Sequence, residues 1–325
     1  MFNRKFFSFV LVSAVMIASS FGLAQDTIVG LITKTETNPF FVKMREGAQA
    51  KADELGVELL TAAGQFDGDN ASQVTAIENM VAAGAAGILI TPSDTSAIVP
   101  AIEMAREAGV IVIALDTPTD PQDATDALYA TDNYQAGVLI GKYARAAIDD
   151  PDSAKVALLG LLPGITVGDL RRDGFLEGFG ISLDSSQVIC DQDTQGDQSL
   201  GQTAMENCLT ADPDVDVVYT INEPAAFGAY NALQNLGKQD DVLIVSVDGG
   251  CAGVRGVVEG QIAATSQQYP LVMASLGVEN IVAAAQGEEF ATGYTDTGVT
   301  LITDEQVSTV VSGNSAYGLA NCWGE

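Results

Sequence analysis

The sequence predicts an α/β fold built from two doubly wound parallel sheets, each covered by helices on both faces. Three observations carry that prediction. Ten short runs rich in Val, Ile and Leu are mostly apolar throughout, the mark of strands buried on both faces, and longer amphipathic stretches separate them. Repeated strand–helix units of this kind read as parallel sheets, and ten strands are too many for one compact sheet. The pattern also restarts after the polar patch Ala130-Thr131-Asp132-Asn133, without a long linker, so a second unit begins near Asp132.

The elements follow in order. Strand-like runs occupy 27–33, 57–62, 87–91, 110–115 and 128–130, then 155–160, 187–191, 216–220, 242–247 and 262–266. Helical stretches lie between them at 39–55, 70–83, 95–108, 134–148, 170–178, 199–210, 225–236 and 270–285. The first helix opens on Asn38-Pro39, a capping residue followed by a proline suited to the first turn. Leu55-Gly56, Ala83-Gly84, Ala108-Gly109 and Leu236-Gly237 each close a helix with the glycine expected of a left-handed cap.

Residues 1–24 read as a leader outside the fold. Arg4 and Lys5 form a basic start, residues 6–23 are almost wholly apolar, and Gly22-Leu23-Ala24 sets small residues one and three before a cut near Ala24. That is the pattern of a secretory signal peptide, so export to the periplasm is expected. No later stretch reaches the roughly 18 uninterrupted apolar residues of a membrane span. Without the leader the chain carries 12 Lys and Arg against 43 Asp and Glu, a net charge of about −31. Such a chain repels phosphate backbones and anionic lipid, which argues against nucleic acid and membrane surfaces as partners. The acid excess with few lysines is the composition expected of a saline habitat. The sequence has no histidine, so the commonest general base and the commonest metal ligand are missing. No phosphate loop or nucleophile motif is present either, so no enzyme, cofactor or metal site is predicted.

Cys190, Cys208, Cys251 and Cys322 all lie in the second half. In an exported chain they suit disulfides, and three pairings are open. The favoured pairing is Cys190–Cys208 with Cys251–Cys322. The first closes a loop of about 19 residues, worth roughly 3 kcal/mol, and the second closes about 72 residues, worth roughly 4 kcal/mol, if the gain is chain entropy. The second would pin the C-terminal tail to the body.

Ligands of parallel α/β sheets sit beyond the carboxyl ends of the strands. There the first strand runs into Thr33-Lys34-Thr35-Glu36-Thr37-Asn38-Pro39-Phe40-Phe41. Two adjacent phenylalanines at a helix start are not expected to share one core, which leaves one as a platform for the apolar face of a sugar ring. Further strand ends read Thr91-Pro92-Ser93-Asp94, Asp116-Thr117-Pro118, Asn222-Glu223-Pro224 and Asp248-Gly249-Gly250. Any one of these is a cap or turn; repeated at one level they form a ring of acceptors and donors around a cleft. A carboxylate accepts from two vicinal hydroxyls and an arginine donates as a fork, each such bond contributing roughly 1.5–3 kcal/mol. Asp191-Gln192-Asp193-Thr194-Gln195-Gly196-Asp197 with Gln202 partly matches a calcium loop, but the last position lacks the bidentate Glu. A polar cleft loop is the better reading.

Taken together, Asp26-Thr27-Ile28-Val29-Gly30-Leu31-Ile32, Thr37-Asn38-Pro39-Phe40-Phe41, Gly87-Ile88-Leu89-Ile90-Thr91-Pro92-Ser93-Asp94, Ile113-Ala114-Leu115-Asp116 and Val247-Asp248-Gly249 resemble the ribose-type (type I) periplasmic sugar-binding family. The resemblance spans Asp26 to Glu325. Within the family, Ile32-Thr33-Lys34-Thr35-Glu36-Thr37, Asn222-Glu223-Pro224 and the terminal Cys322-Trp323-Gly324 are most similar to its fructose-binding members. The resemblance implies two lobes joined by three crossings, near 131–132, 267–268 and 293–295, with lobes of 25–131 plus 268–293 and 132–267 plus 294–325. It implies a monomeric binding component of an ABC importer that closes on a monosaccharide by hinge motion and presents it to a permease. A sensory role, presenting the sugar to a chemoreceptor or sensor kinase, is the alternative. Carried over by position, Asn38, Phe40, Phe41, Thr91 and Asp116 would bind sugar from the first lobe, Arg171, Asn222 and Asp248 from the second, and Gln268 at a hinge. Thr91 stands where ribose binders have asparagine, Thr117 where they have arginine, and their second-lobe aromatic is replaced near Gln195–Gly196. These departures favour a ketohexose such as fructose over ribose, with another pentose, hexose or polyol as the alternative.

Overall fold

A computed structural model of the chain describes residues 27–324. The expected leader and its cut near Ala24 lie outside the described residues. The chain runs β1 (Ile28–Thr33), α1 (Pro39–Leu55), β2 (Glu58–Ala63), α2 (Asn70–Ala82), β3 (Gly87–Ile90), α3 (Val99–Glu107), β4 (Ile111–Leu115) and β5 (Ala127–Ala130). It continues through α4 (Asn133–Ala147), β6 (Val156–Gly160), α5 (Thr166–Phe179), β7 (Val188–Asp193), α6 (Gln198–Ala211), β8 (Val217–Thr220), α7 (Glu223–Asn235), β9 (Leu243–Asp248), α8 (Cys251–Val258) and β10 (Ala264–Gln267). The last elements are α9 (Pro270–Ala285), β11 (Gly293–Asp296), β12 (Thr300–Ile302) and α10 (Ser315–Asn321). Two six-stranded sheets result, in the orders β11-β5-β4-β3-β1-β2 and β12-β10-β9-β8-β6-β7. All pairings are parallel except β12 with β10.

The apolar strands are buried because helices cover both faces. In the first sheet Leu31, Leu89 and Ile113 pack under α1 and α9, whereas Ile32, Ile88 and Val112 pack under α2 and α3. The second sheet repeats the plan, with Leu158 and Val245 facing α4 and α5 and Leu159 and Val218 facing α6 and α7. Each fully buried aliphatic side chain contributes about 1.5–3 kcal/mol relative to exposure. Local signals set the helix ends. The Asn38 side chain accepts from Phe40 N ahead of Pro39, and Gly56 closes α1 with φ 68°. Asp132, Asp197 and Asn222 cap α4, α6 and α7 in the same way.

Helices α4 and α5 approach unusually closely, and glycine is the reason. A Cβ on Gly137 would lie 2.1 Å from the Arg171 carbonyl oxygen, and one on Gly174 would lie 2.1 Å from that of Tyr134. A Cβ on Gly141 or Gly178 would meet the opposite backbone nearly as tightly, at 2.3 and 2.4 Å. This contact sets the position of the Arg171 backbone. Gly137→Ala is therefore expected to destabilise the protein by about 1–3 kcal/mol, because backbone, unlike a side chain, cannot swing aside. Denaturant unfolding of the variant checks it.

Three segments join the sheets. The chain leaves the first sheet after Ala130, returns after Gln267, and crosses again between β11 and β12. Expected at 293–295, the third crossing lies instead at 297–299, because Gly293–Asp296 pair with Ala127–Ala130 and stay in the first sheet. Thr131 Oγ1 donates to the Gly298 carbonyl (3.1 Å), and Thr297 N donates to the Ala130 carbonyl (3.0 Å), so the first and third crossings are tied together.

Cys190–Cys208 and Cys251–Cys322 are the disulfides. The second sends the tail across the interface between the sheets. Cys322 is bonded to α8 of the second unit, while the indole of Trp323 lies 5.5 Å from the Phe40 ring in the core of the first.

Candidate functional site

The strand-end acids hold unusual backbone conformations. Asp116, just after β4, has φ 62°, and Asp248, ending β9, has φ 142°. Non-glycine residues reach these regions only when the surroundings impose them, and such strain clusters at ligand sites. Here Asn133 Nδ2 donates to the Asp116 carbonyl (3.0 Å) and Gln268 N to the Asp248 carbonyl (2.9 Å), holding both turns.

Between them lies Arg171, delivered by α5 and buried. Its Nη2 donates to Asp116 Oδ1 (3.3 Å) and to Gln268 Oε1 (3.2 Å), its Nε to Asn133 Oδ1 (2.8 Å) and its Nη1 to the Ile221 carbonyl (3.0 Å). Gln268 Nε2 in turn donates to Asp248 Oδ1 (2.8 Å). One guanidinium thus links the acid of the first sheet to the glutamine and acid of the second. Around it closes a small chamber whose wall includes Asn38, Phe40, Phe41, Asp116, Arg171, Asn222, Asp248 and Gln268. Leu161, Val167 and Ile221 add hydrocarbon.

Of the nine residues expected at the site, Thr91 stands apart. It is fully buried, its hydroxyl faces Met44 Sδ at 3.5 Å, and its carbonyl accepts from Gln73 Nε2. It lines neither the chamber nor the adjoining groove. The expectation that one phenylalanine would lie off the core also needs correction: Phe40 and Phe41 are both buried, packed edge to face at 5.4 Å. The reason is Trp323, which arrives from the far end of the chain to cover Phe40.

Sequence reasoning missed Lys34 and Asp67, which also line the chamber. Lys34 is 2% exposed and its Nζ lies 3.5 Å from Asp67 Oδ1. Burial pushes the Asp67 carboxyl above the usual range, while Lys34 opposes the rise. The available signal was position: Lys34 directly follows the carboxyl end of β1. Glu223 was missed as well. It sits buried in the first turn of α7 and accepts from Gly249 N (2.8 Å), Gly250 N (3.0 Å) and Thr265 Oγ1 (2.8 Å), clasping the strained turn after β9. The sequence 191–202 forms the end of β7 and the start of α6: Asp193 accepts from Gln195 N, and Asp197 accepts from Ser199 N and Leu200 N. Among the described residues no group of His, Cys, Asp or Glu is arranged to hold a metal ion.

Burial also governs the second-sheet acids. It pushes Asp248 up to about 7, with Asp116 adding to the rise and Arg171 and Gln268 opposing it. It raises Glu223 well above the ordinary carboxylate value, and Asp248 adds to that shift. Unfolded, Asp248 ionises near 3.9. Between about pH 4 and 7 the native state therefore keeps a proton that the unfolded chain has lost. This group's contribution to stability falls as pH rises through that window and is level above it. Asp248→Asn removes this penalty and relieves Glu223 of a neighbouring charge. Stability should therefore fall less steeply with pH in the variant, as urea unfolding between pH 4.5 and 8 would show.

Such a site is a shell of donors and acceptors with aromatic and aliphatic walls, drawn from two units joined by crossing strands and bridged by Arg171. It defines a two-lobed protein that encloses a small, uncharged, hydroxyl-rich solute. The chain belongs to the type I periplasmic sugar-binding family: the periplasmic binding protein domain matches residues 29–289. It is 34% identical to the ribose import binding protein RbsB of Escherichia coli over 289 residues, covering 87% of this chain and 94% of that one. In structure it is similar to an Actinobacillus succinogenes ABC transporter solute-binding protein with bound D-allose (TM-score 0.77, 26% identity, 86% of this chain and 99% of that one). A carbohydrate transporter solute-binding protein from Agrobacterium radiobacter in complex with D-arabinose is comparably similar (TM-score 0.79, 26% identity, 88% and 97%).

Proposed function

We propose that this chain is the periplasmic, ligand-binding component of an ABC sugar importer, and that it encloses one monosaccharide, fructose, without altering it. The observation that carries the proposal is Arg171, buried between the lobes and bonded to Asp116 on one side and Gln268 on the other. Neither half of the shell satisfies a polyol alone, so sugar bound between them favours the closed state by differential affinity. Closure about a hinge is a property of periplasmic binding proteins as a class. In this reading Asp116 and Asp248 accept from ring hydroxyls, and Asn38, Asn222 and Arg171 donate. Phe40 and Phe41 pack on the ring, while Lys34 and Asp67 close the first-lobe end. The sugars named for the relatives, ribose, allose and arabinose, support pentoses and hexoses as the ligand class.

Three departures favour a ketohexose. Thr91 is withdrawn to Met44. Thr117, fully buried, donates only to Asp116 Oδ2 (2.8 Å) and brings no guanidinium to the chamber. Gly196 presents no side chain to the chamber. The protein works as a monomer whose two rims are read by a permease. Melting the protein with fructose, ribose, allose, arabinose and inositol tests the assignment. A ligand at a hundred times its Kd stabilises by about 2.7 kcal/mol, and fructose should raise Tm the most. A larger shift with an aldose would replace fructose, and no shift with any sugar would refute the function.

A further inference from the structure

We propose that the cleft carries a second ligand subsite, which takes the second ring of an uncharged glycosyl-extended sugar while the first ring occupies the chamber. This rests on the sugar-binding reading and enlarges its ligand class. A groove of about 580 Å³ runs along the rim between the lobes, within the size range of small-molecule sites. It adjoins the chamber: Asn38, Phe41, Asp67, Gly196 and Asp248 line both.

Gly196 marks the junction. Asn222 Nδ2 donates to its carbonyl (3.0 Å), and a Cβ there would lie 2.8 Å from that nitrogen and 3.8 Å from Asn38 Nδ2, so this loop packs against both capping asparagines at the boundary between chamber and groove. Beyond it the walls are of two kinds. Phe66 (53% exposed), Leu200 (40% exposed) and Phe227 offer apolar surface to a ring face. Thr35, Gln65, Gln195 and Gln198 offer neutral donors and acceptors to its edge. That division matches a pyranose, which has a C–H face and a hydroxyl rim. No Lys or Arg lines the groove, whereas Asp67, Asp197, Glu223 and Asp248 do. A phosphorylated or otherwise anionic sugar is therefore excluded, and a neutral disaccharide or glycoside fits.

Titration calorimetry tests this with fructose against maltulose (a glucosyl-fructose), and with ribose and allose against their phenyl glycosides. For whichever free sugar binds, its extended form is expected to bind within tenfold or more tightly. Phe66→Ala and Leu200→Ala, both outside the chamber, should each weaken the extended form about fivefold to tenfold and leave the free sugar within twofold. Binding of a free sugar with no measurable binding of its extended form would overturn the subsite. So would extended-form affinity unchanged in both variants. Failure of these three free sugars together with arabinose and inositol would instead refute the sugar-binding reading, and the subsite with it.

Discussion

Asp116→Ala is expected to lower sugar affinity at least a hundredfold while the protein stays folded. Two hydroxyl-to-carboxylate bonds at roughly 1.5–3 kcal/mol each amount to about 3–6 kcal/mol, or two to four orders of magnitude in Kd. Folding survives because Arg171 is not orphaned: Asn133 Oδ1, the Ile221 carbonyl and Gln268 Oε1 still accept from it. Asp116→Asn keeps the shape and one acceptor, so an intermediate loss is expected from it. Calorimetry on the three proteins, with circular dichroism to verify the fold, decides the matter. An affinity for Asp116→Ala within tenfold of the parent would remove this carboxylate from the site.

The second large effect concerns stability. Replacing Cys251 and Cys322 by alanine opens a loop spanning 71 residues, which costs roughly 4 kcal/mol if the gain is chain entropy. At about 2 °C per kcal/mol for a chain of this size, Tm should fall by roughly 8 °C. The tail also loses its anchor. Trp323, whose Nε1 donates to the Gln268 carbonyl (2.8 Å) and whose carbonyl accepts from Cys251 N (2.8 Å), would then leave the Phe40 ring. The sequence contains one tryptophan, so its fluorescence reports this site alone and should shift to the red. Unchanged emission with a lowered Tm would show that packing, without the disulfide, holds the tail in place.

Much of the molecule was legible because the signals are local. A strand covered on both faces must be apolar at every position, so β1, β3, β4, β6, β8 and β9 stand out within a few residues. The caps at Asn38, Asp132 and Asn222 need only the amides two or three residues ahead. Where an element depends on a distant partner, the sequence is silent. Short α8 contains two glycines; Gly253 lies against the Glu223 carboxylate and Gly256 against Phe227, so packing rather than propensity makes it a helix. Exposed β11 exists only through its pairing with β5.

The same division runs through the site. By itself the sequence determined the strand–helix alternation, the level at which polar groups gather, and a pool of side chains able to grip a polyol, since strand ends and capping residues follow from chain-neighbour chemistry. Tertiary structure alone decided which members of that pool line the chamber. It turned Thr91 toward Met44, brought Trp323 over Phe40, buried Lys34 beside Asp67, and set Arg171 between acids that lie 55 and 77 positions away along the chain. The reason is physical: burial and charge pairing are properties of neighbours in space, and those neighbours come from segments that no local pattern connects.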